Sequence, residues 1–228
     1  MKFKEFLKRK EIEISWKNYF VNAMGAMAQG LFASLLVGTI LGTIGSKFSL
    51  DFLVEIADFA KNGYVVGAAI GIAVAYALKA KGLVLFSCAV VGAFGYMLGA
   101  EINAGSEIIS YTAGPAGSFL AVIVACELGK AVYKETKVDI LVTPLTTIFS
   151  GFLIAKLFCP LIAYAMYYLG SFINTATELH PFFMGIIVSV IVGILLTLPV
   201  SSAVITLVFS EIMRKLKWIR PDDLKLEL

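Results

Sequence analysis

Long apolar runs alternate with short polar connections along most of the chain, and this alternation predicts six membrane-spanning helices. A helix needs about 20 predominantly apolar residues to cross the hydrocarbon core of a bilayer. The predicted spans cover about residues 19–44, 56–78, 83–99, 112–132, 140–170 and 181–209. The connections are too short to form a separate soluble domain. The pattern therefore predicts an all-α, polytopic transmembrane helical bundle.

Composition supports this class. The chain is 59% hydrophobic and 15% charged, whereas a soluble domain is about half apolar and about one quarter charged. Three cysteines, Cys88, Cys126 and Cys159, lie inside apolar runs at a spacing that fits no metal site, so we expect core residues rather than metal ligands. The charged N-terminal lead precedes an apolar stretch too long for a cleavable signal peptide.

Basic residues gather on one side of the six-span arrangement. They stand in the N-terminal lead, in the connections after the second and fourth spans, and in the tail: Lys2, Lys4, Lys8, Arg9, Lys10, Lys17, Lys79, Lys81, Lys130, Lys134, Lys137, Arg214, Lys215, Lys217, Arg220 and Lys225. The opposite side has Lys47 and Lys61. Because cytoplasmic loops carry an excess of Lys and Arg, both termini are expected in the cytoplasm.

This sorting defines three segments: a basic cytoplasmic lead at 1–18, a transmembrane region at 19–209 and a basic cytoplasmic tail at 210–228. An odd number of spans would no longer place these basic segments on one side of the membrane. The net charge of +3 then reflects topology and some attraction to anionic lipid, and it gives no reason to expect a nucleic-acid partner.

Several predicted spans contain helix breakers. Gly114, Pro115 and Gly117 open the fourth span, Pro144 and Pro160 lie in the fifth, and Pro199 lies in the sixth. Broken backbone is tolerated at membrane depth only inside protein or beside a watery cavity, and transporters place their solutes at interrupted helices. We therefore expect broken or re-entrant segments around a cavity, with the helix start at Gly114 and Gly117 available to polar oxygens.

Other features of the spans have simpler readings. The small residues at 67–77 and at Gly92 and Gly95 are typical of close helix packing in lipid. Glu127 and Lys156 stand at membrane depth and are functional candidates. Glu127 could instead pair with Lys130, three residues further along the same helix. Lys156 could snorkel toward an interface or take a paired or cavity role.

The stretch SFINTATELHPFFMG at 171–185 is a polar island between two apolar runs. It contains Asn174, Thr177, Glu178 and His180, the only histidine of the chain. A carboxylate makes strong hydrogen bonds to hydroxyl groups, and the neighbouring amide and hydroxyl groups would suit a sugar or polyol. The alternative is an ordinary solvated turn on the outer side.

Three runs carry a family resemblance: GPAGSFLAVIVACELGK at 114–130, TKVDILVTPLTTIFSG at 136–151 and INTATELHPFFMGIIVSVIVGILLTLPVSSA at 173–203. Together they resemble the stand-alone enzyme IIC-like membrane proteins of the bacterial phosphotransferase system, the PTS EIIC family. The resemblance covers about residues 20–205. Family members usually continue with further spans, so the C-terminal part of the family pattern is expected to be missing.

The resemblance implies a sugar permease of the bacterial inner membrane, coupled to a phosphorylated IIB protein and forming a homodimer. It implies that Glu178 binds sugar hydroxyls, while His180 stands where the family leads us to expect Gln. Asn174 and Thr177 complete the candidate solute site, with Gly114, Gly117 and Glu127 along the path. The phospho-carrying residue belongs to IIB in this family, so no catalytic nucleophile, metal or cofactor is expected in the chain.

Two other functions remain open from the residues. The chain could be a membrane sensor or regulatory subunit that binds a ligand or lipid without transport. It could also be an ion-coupled transporter of a non-sugar solute that uses Glu127 and Lys156. An intramembrane enzyme is least favoured, because no acid or cysteine stands at a recognisable spacing from the histidine.

Overall fold

The structure is a computed structural model that describes residues 6–7, 9–13, 15, 17–104, 107–177, 185–186, 189–190 and 193. The chain divides into two compact units, Met1–Tyr164 and Ala165–Leu228, and most of the described residues belong to the first. The predicted sixth span is described at only five positions. The predicted C-terminal tail lies outside the described residues.

The described elements are six helices and one β-hairpin. In chain order they are α1 (Lys17–Phe48), α2 (Asp51–Ala60), α3 (Gly63–Ala77), α4 (Leu83–Met97), β1 (Gly99–Ala104), β2 (Glu107–Thr112), α5 (Gly114–Val132) and α6 (Asp139–Thr177). Helix α1 includes two π-helical stretches, Lys17–Ala23 and Phe32–Leu36. The predicted helical class is confirmed, although the hairpin was not expected.

Three of these helices, α1, α5 and α6, are long and apolar enough to cross a membrane, and the pair α2 and α3 together forms a possible fourth span. The predicted first, fourth and fifth spans correspond to α1, α5 and α6. The predicted third span corresponds to α4, which has 15 residues and is short for a crossing.

The second predicted span is broken. Helices α2 and α3 meet at an angle of 54°, because the backbone of Asn62 is extended and ends the first of them. The Asn62 side chain then accepts a hydrogen bond of 3.0 Å from the Tyr64 N–H and so caps the second helix. The predicted span over 56–78 is therefore a bent pair of helices, which together remain long and apolar enough for one crossing.

The fifth span was expected to be a kinked helix or a shorter helix with a re-entrant piece. Helix α6 runs for 39 residues with Pro144 and Pro160 inside it, which agrees with a single helix and not with a shorter helix followed by a re-entrant piece. At its start the Asp139 carboxylate accepts hydrogen bonds from the Lys134 N–H, at 2.8 Å, and from the Thr143 hydroxyl, at 2.6 Å. This carboxylate also suits the positive end of the helix dipole.

The hairpin connects the end of α4 to the start of α5. Its antiparallel register pairs Gly99 with Thr112 and Ala104 with Glu107. A Cβ atom at Gly99 would overlap the Tyr111 carbonyl oxygen, so the strands can approach there only with glycine. The hairpin thereby brings the last turn of α4 beside the first turn of α5, where Ala113 donates a hydrogen bond of 2.8 Å to the Leu98 carbonyl.

The core of the first unit lies where α3, α4 and α5 pack together. Its buried side chains are small or β-branched and include Val66, Ile70, Val74, Val84, Val91 and Val122. A Cβ atom at Gly67 would lie 2.5 Å from the Gly92 carbonyl oxygen, and one at Gly92 would overlap the Gly67 carbonyl oxygen. The predicted close packing of small residues is confirmed, and it allows backbone contact between helices.

The three cysteines are buried and unbridged, as expected of core residues. No group of histidine, cysteine, aspartate and glutamate residues in the described part of the chain could hold a metal ion. Large apolar side chains are instead exposed along the long helices, as Phe149, Leu153 and Leu157 are on α6. In a membrane protein such a surface can contact lipid, because lipid tails are as apolar as leucine.

Substitution of Gly92 by alanine tests this packing. We expect Gly92→Ala to lower the free energy of unfolding in detergent by about 1–3 kcal/mol, the usual cost of overpacking. Gly25→Ala is the matched control, because a Cβ atom there meets nothing within 4 Å, and alanine there should gain about 0.5–1 kcal/mol. Equal effects of the two variants on denaturant unfolding would contradict the close approach of α3 and α4.

Candidate functional site

The predicted solute-binding residues of the polar island are only partly described. Asn174 and Thr177 belong to the last turn of α6, in the second unit. Glu178 and His180 lie outside the described residues. Their role as sugar ligands therefore stays a prediction. The other candidate residues, Gly114, Gly117 and Glu127, lie near the two ends of α5.

The first turn of α5 is shaped by two glycines. Gly114 has a φ of +59°, a conformation that costs other residues energy, and Pro115 follows at the first turn, as is common at helix starts. Both residues are buried. Among the residues that the structure describes, a Cβ atom at Gly114 would meet nothing within 4 Å.

Gly117 lies in close contact with residues of α4 and α6. A Cβ atom there would lie 2.5 Å from the Gly95 carbonyl oxygen of α4 and 3.0 Å from the Cys159 sulfur of α6. The Ser118 hydroxyl donates a hydrogen bond of 3.3 Å to the Gly67 carbonyl of α3. Gly117 therefore lets three helices meet, whereas a Cβ atom at Gly114 would contact no described residue.

At the other end of α5, Glu127 and Lys130 form the predicted ion pair, with Lys130 Nζ 3.0 Å from Glu127 Oε2. The Lys130 side chain is only 5% exposed. Its ammonium also donates hydrogen bonds to the Leu78 carbonyl, at 2.9 Å, and to the Glu11 carbonyl, at 3.1 Å. Three oxygen partners thus surround an ammonium that has three protons to donate, which is what makes its burial tolerable.

The Tyr19 side chain of α1 interacts electrostatically with the Glu127 carboxylate, whose two oxygens are buried and, apart from the ion pair with Lys130, have no hydrogen-bond partner among the described residues. Lys156 lies elsewhere: it is exposed on α6, with its ammonium 6.0 Å from the centre of the Phe152 ring. Within the described part of the chain, no carboxylate lies at ion-pair distance from Lys156. Glu127 is therefore paired with Lys130 and not with the other charge at membrane depth.

Gly114 and Glu127 lie thirteen positions apart on one helix, which corresponds to about 20 Å along its axis. A small solute cannot contact both at once. The two residues can line the same path only as successive points along it.

A pocket lies beside the Lys130 end of α5, where the N-terminal segment meets the connections after α3 and α5. We call it the basic pocket. Its volume is about 410 Å³, and its lining residues are Arg9, Lys10, Glu11, Lys79, Lys81, Val84, Lys130, Tyr133, Lys134 and Glu135. Three of the basic segments that the charge pattern predicted on one side of the membrane thus lie together.

Ion pairs hold the N-terminal segment in this position. Glu135 lies 2.6 Å from both Arg9 and Lys10, and Glu11 lies 2.5 Å from Lys81. A further pair joins Lys79 to Glu13 at 3.1 Å. In the sequence these lysines indicate only topology, and the pocket was not predicted. The overlooked signal is the presence of glutamates between the basic residues, at 11, 13 and 135.

The pocket electrostatics lower the pKa values of two of these carboxyl groups. The hydrogen bond from Lys81 holds the pKa of Glu11 below its usual value of 4.5. The hydrogen bond from Lys10, with the charge of Arg9 nearby, does the same for the pKa of Glu135. Both carboxylates are ionised at neutral pH and favour the attached form of the N-terminal segment.

Removal of the Lys130 charge tests the buried network. We expect Lys130→Met to lower the free energy of unfolding by about 3–5 kcal/mol, because it leaves Glu127 buried without its partner. Lys61→Met is the matched control, since the Lys61–Asp58 pair is exposed and such pairs contribute at most about 1 kcal/mol. Denaturant unfolding in detergent measures both, and a Lys130→Met effect as small as the control would show that the network is not stabilising.

Acid should release the N-terminal segment. A carboxyl group whose pKa is lowered in the attached state contributes fully above its free pKa, here 4.5, and loses that contribution as the pH falls through the lowered value. We expect amide hydrogen exchange at residues 9–13, corrected for intrinsic rate, to be as slow at about pH 6 as at neutral pH, and to be faster at about pH 3. Amides of α4 serve as the internal control. Equal protection of residues 9–13 at both pH values would contradict the electrostatic attachment.

Comparison with known proteins gives one family. The family model for the phosphotransferase system EIIC proteins matches residues 21–226, which extends the resemblance beyond residue 205 and into the basic tail. No curated protein matches the chain, and no solved structure matches it. Because the family match covers nearly the whole chain, the protein belongs to the phosphotransferase system EIIC family and is a membrane component of sugar transport.

Proposed function

We propose that the chain is the permease component that binds a sugar or polyol and carries it across the bacterial cytoplasmic membrane, where a phosphorylated IIB protein modifies it. The observation that carries the proposal is the family match over residues 21–226, which includes the polar island at 171–185. In this function the chain binds and positions the solute, and the phosphoryl group comes from the partner protein.

The gathering of basic residues supports an orientation for this transport. The N-terminal segment and the connections after α3 and α5 meet at one end of the first unit, and cytoplasmic loops are the ones enriched in Lys and Arg. We therefore assign the basic pocket to the cytoplasmic side. The start of α5 at Gly114 and the hairpin at 99–112 then face the outer side.

The proposed solute ligands are polar residues in the last turn of α6 and just after it in the sequence. The Glu178 carboxylate accepts hydrogen bonds from two sugar hydroxyls, and charged acceptors make the stronger ones. The Asn174 amide and the Thr177 hydroxyl can both donate and accept, and His180 adds one further donor or acceptor. These side chains can bind hydroxyl groups by hydrogen bonds without requiring a charge on the solute.

Helix α5 supplies features of a path. No described residue lies within 4 Å of a Cβ atom placed at Gly114, and the backbone N–H groups of a helix start can donate hydrogen bonds to solute oxygens there. Gly117 keeps α4, α5 and α6 in contact next to this point. Glu127 lies further along the same helix, toward the proposed cytoplasmic side, where its pairing with Lys130 limits its availability to a solute.

We also propose a homodimer, as the resemblance implies. The exposed apolar face of α6, which includes Leu153, Leu157 and Leu161, is compatible with burial against a second copy or against lipid. Either environment is apolar, so helix association there would depend on shape and on polar contacts between helices rather than on hydrophobicity.

Substitution of Glu178 tests the solute site. We expect Glu178→Gln to weaken binding of the transported sugar about 10- to 100-fold, since hydrogen bonds to a charged group contribute about 1.5–3 kcal/mol. The measurement is binding of a panel of radiolabelled hexoses and hexitols to the protein in proteoliposomes, followed by uptake with IIB and phosphoenolpyruvate.

Glu55→Gln is the matched control, because Glu55 is an exposed carboxylate on α2. Unchanged affinity in Glu178→Gln would remove Glu178 from the site. Sugar binding without uptake would favour a sensor over a permease, and pH-dependent uptake without phosphoenolpyruvate would favour an ion-coupled transporter.

A further inference from the structure

The basic pocket has more positive charge than its own carboxylates neutralise. Six cationic side chains and two carboxylates line it. The Lys134 ammonium lies 5.4 Å from the centre of the Tyr133 ring. No carboxylate in the part of the chain that the structure describes lies at ion-pair distance from it. Two of the six cations, Lys79 and Lys130, pair with Glu13 and Glu127, which do not line the pocket. The six cations thus face four carboxylates in all, and a smaller excess of positive charge remains around a space large enough for a ligand.

The cations come from three separate segments of the chain. Arg9 and Lys10 belong to the N-terminal segment, Lys79 and Lys81 follow α3, and Lys130 and Lys134 lie at the end of α5 and just after it. A phosphate group offers several acceptor oxygens and up to two negative charges. The planar guanidinium can bind two of those oxygens at once, while ammonium groups act as point charges around the rest.

Two carboxylates now occupy the positions where an anion would bind. Glu135 is within 2.6 Å of Arg9 and Lys10, and Glu11 is within 2.5 Å of Lys81. Both carboxylates are 42% exposed. Their pairs with Arg9 and Lys81 are exposed and contribute little stability, whereas the Lys10 side chain is only 9% exposed. A dianion can therefore replace the carboxylates at Arg9 and Lys81 at small cost, and the lowered pKa values of Glu11 and Glu135 are consistent with a site that favours negative charge.

We propose that the basic pocket is a binding site for a phosphate group, supplied either by the headgroup of an anionic lipid or by a phosphorylated solute. Its volume of about 410 Å³ is in the range of small-molecule sites and leaves room for a glycerol or sugar beside the phosphate. Basic pockets at the ends of membrane helices suit lipid headgroups. In the proposed orientation, the pocket also lies on the side where a phosphorylated sugar would be released.

The test uses the full chain in neutral detergent and in nanodiscs. Soluble probes are inorganic phosphate, glycerol 3-phosphate and glucose 6-phosphate, with glucose as the uncharged comparison, measured by calorimetric titration. Lipid probes are phosphatidylglycerol and phosphatidylcholine, measured by native mass spectrometry. Binding of a soluble phosphate identifies a solute site, whereas retention of phosphatidylglycerol alone identifies a lipid site. Both outcomes support the proposal.

The variants separate the pocket from charge in general. We expect Lys81→Gln with Lys134→Gln to weaken phosphate-probe binding at least about tenfold, because two charged donors are lost. Glu135→Gln should strengthen it several-fold, because a competing carboxylate is removed. Lys47→Gln with Lys61→Gln is the matched control, since it removes two lysines that are not in the pocket.

Three results would overturn the proposal: no binding of any phosphate probe to the unaltered chain, equal losses in the pocket and control variants, or weaker binding in Glu135→Gln. The opposite signs expected for the two pocket variants distinguish a binding site from general destabilisation. Glu178→Gln should bind phosphate probes as the unaltered chain does, so failure of the sugar-site assignment would leave this test intact.

Discussion

The organisation of the protein around the basic pocket depends on the ion pair and hydrogen bonds made by the buried ammonium of Lys130. Removing a charge from water costs several kcal/mol, and only close oxygen partners offset it. Lys130 takes these partners from three segments: Glu127 on its own helix, the Leu78 carbonyl at the end of α3 and the Glu11 carbonyl of the N-terminal segment. The other contacts of the N-terminal segment are mostly exposed ion pairs, which contribute little on their own.

Small residues make this network possible. The Lys130 ammonium on α5 can reach the Leu78 carbonyl at the end of α3 only if the core helices α3, α4 and α5 pack closely. The approach of α3 to α4 is set by Gly67 and Gly92, whose backbones touch. Beside Lys130, a Cβ atom at Gly129 would overlap the Thr147 hydroxyl of α6 and lie 2.9 Å from the Val84 side chain of α4. Dense packing thus borders Lys130 on the side of α4 and α6, although Lys130 also lines the basic pocket.

The sequence predicted the parts of this fold that follow from local rules. Lipid forces backbone groups to pair within a helix, so the long apolar runs predicted α1, α5 and α6. Residues three apart share a helix face, so the Glu127–Lys130 pair could be expected, and the charge pattern predicted that the basic connections would lie on one side.

What escaped prediction depends on single residues or distant contacts. The bend between α2 and α3 depends on one capping side chain, Asn62, inside an otherwise apolar pattern. Strands β1 and β2 have six residues each, and in the sequence such short segments cannot be distinguished from the ends of the neighbouring predicted spans. The Lys130 bonds to Leu78 and Glu11 join residues 52 and 119 positions apart, and no local pattern encodes them. The basic pocket is a product of those distant contacts, which is why the same lysines indicated only topology in the sequence.

The two ends of α5 are anchored unequally by hydrogen bonds. The Lys130 end is held by charged, buried hydrogen bonds, each contributing about 1.5–3 kcal/mol. Toward the Gly114 end, the Ser118–Gly67 bond is neutral and 3.3 Å long, and bonds of that kind contribute about 0.5–1.5 kcal/mol. Close packing occurs at both ends, since Gly117 adjoins α4 and α6 and Gly129 adjoins Thr147 and Val84. The two ends of α5 therefore differ in their hydrogen bonds more than in their packing: a charged network holds the Lys130 end, and neutral bonds hold the Gly114 end.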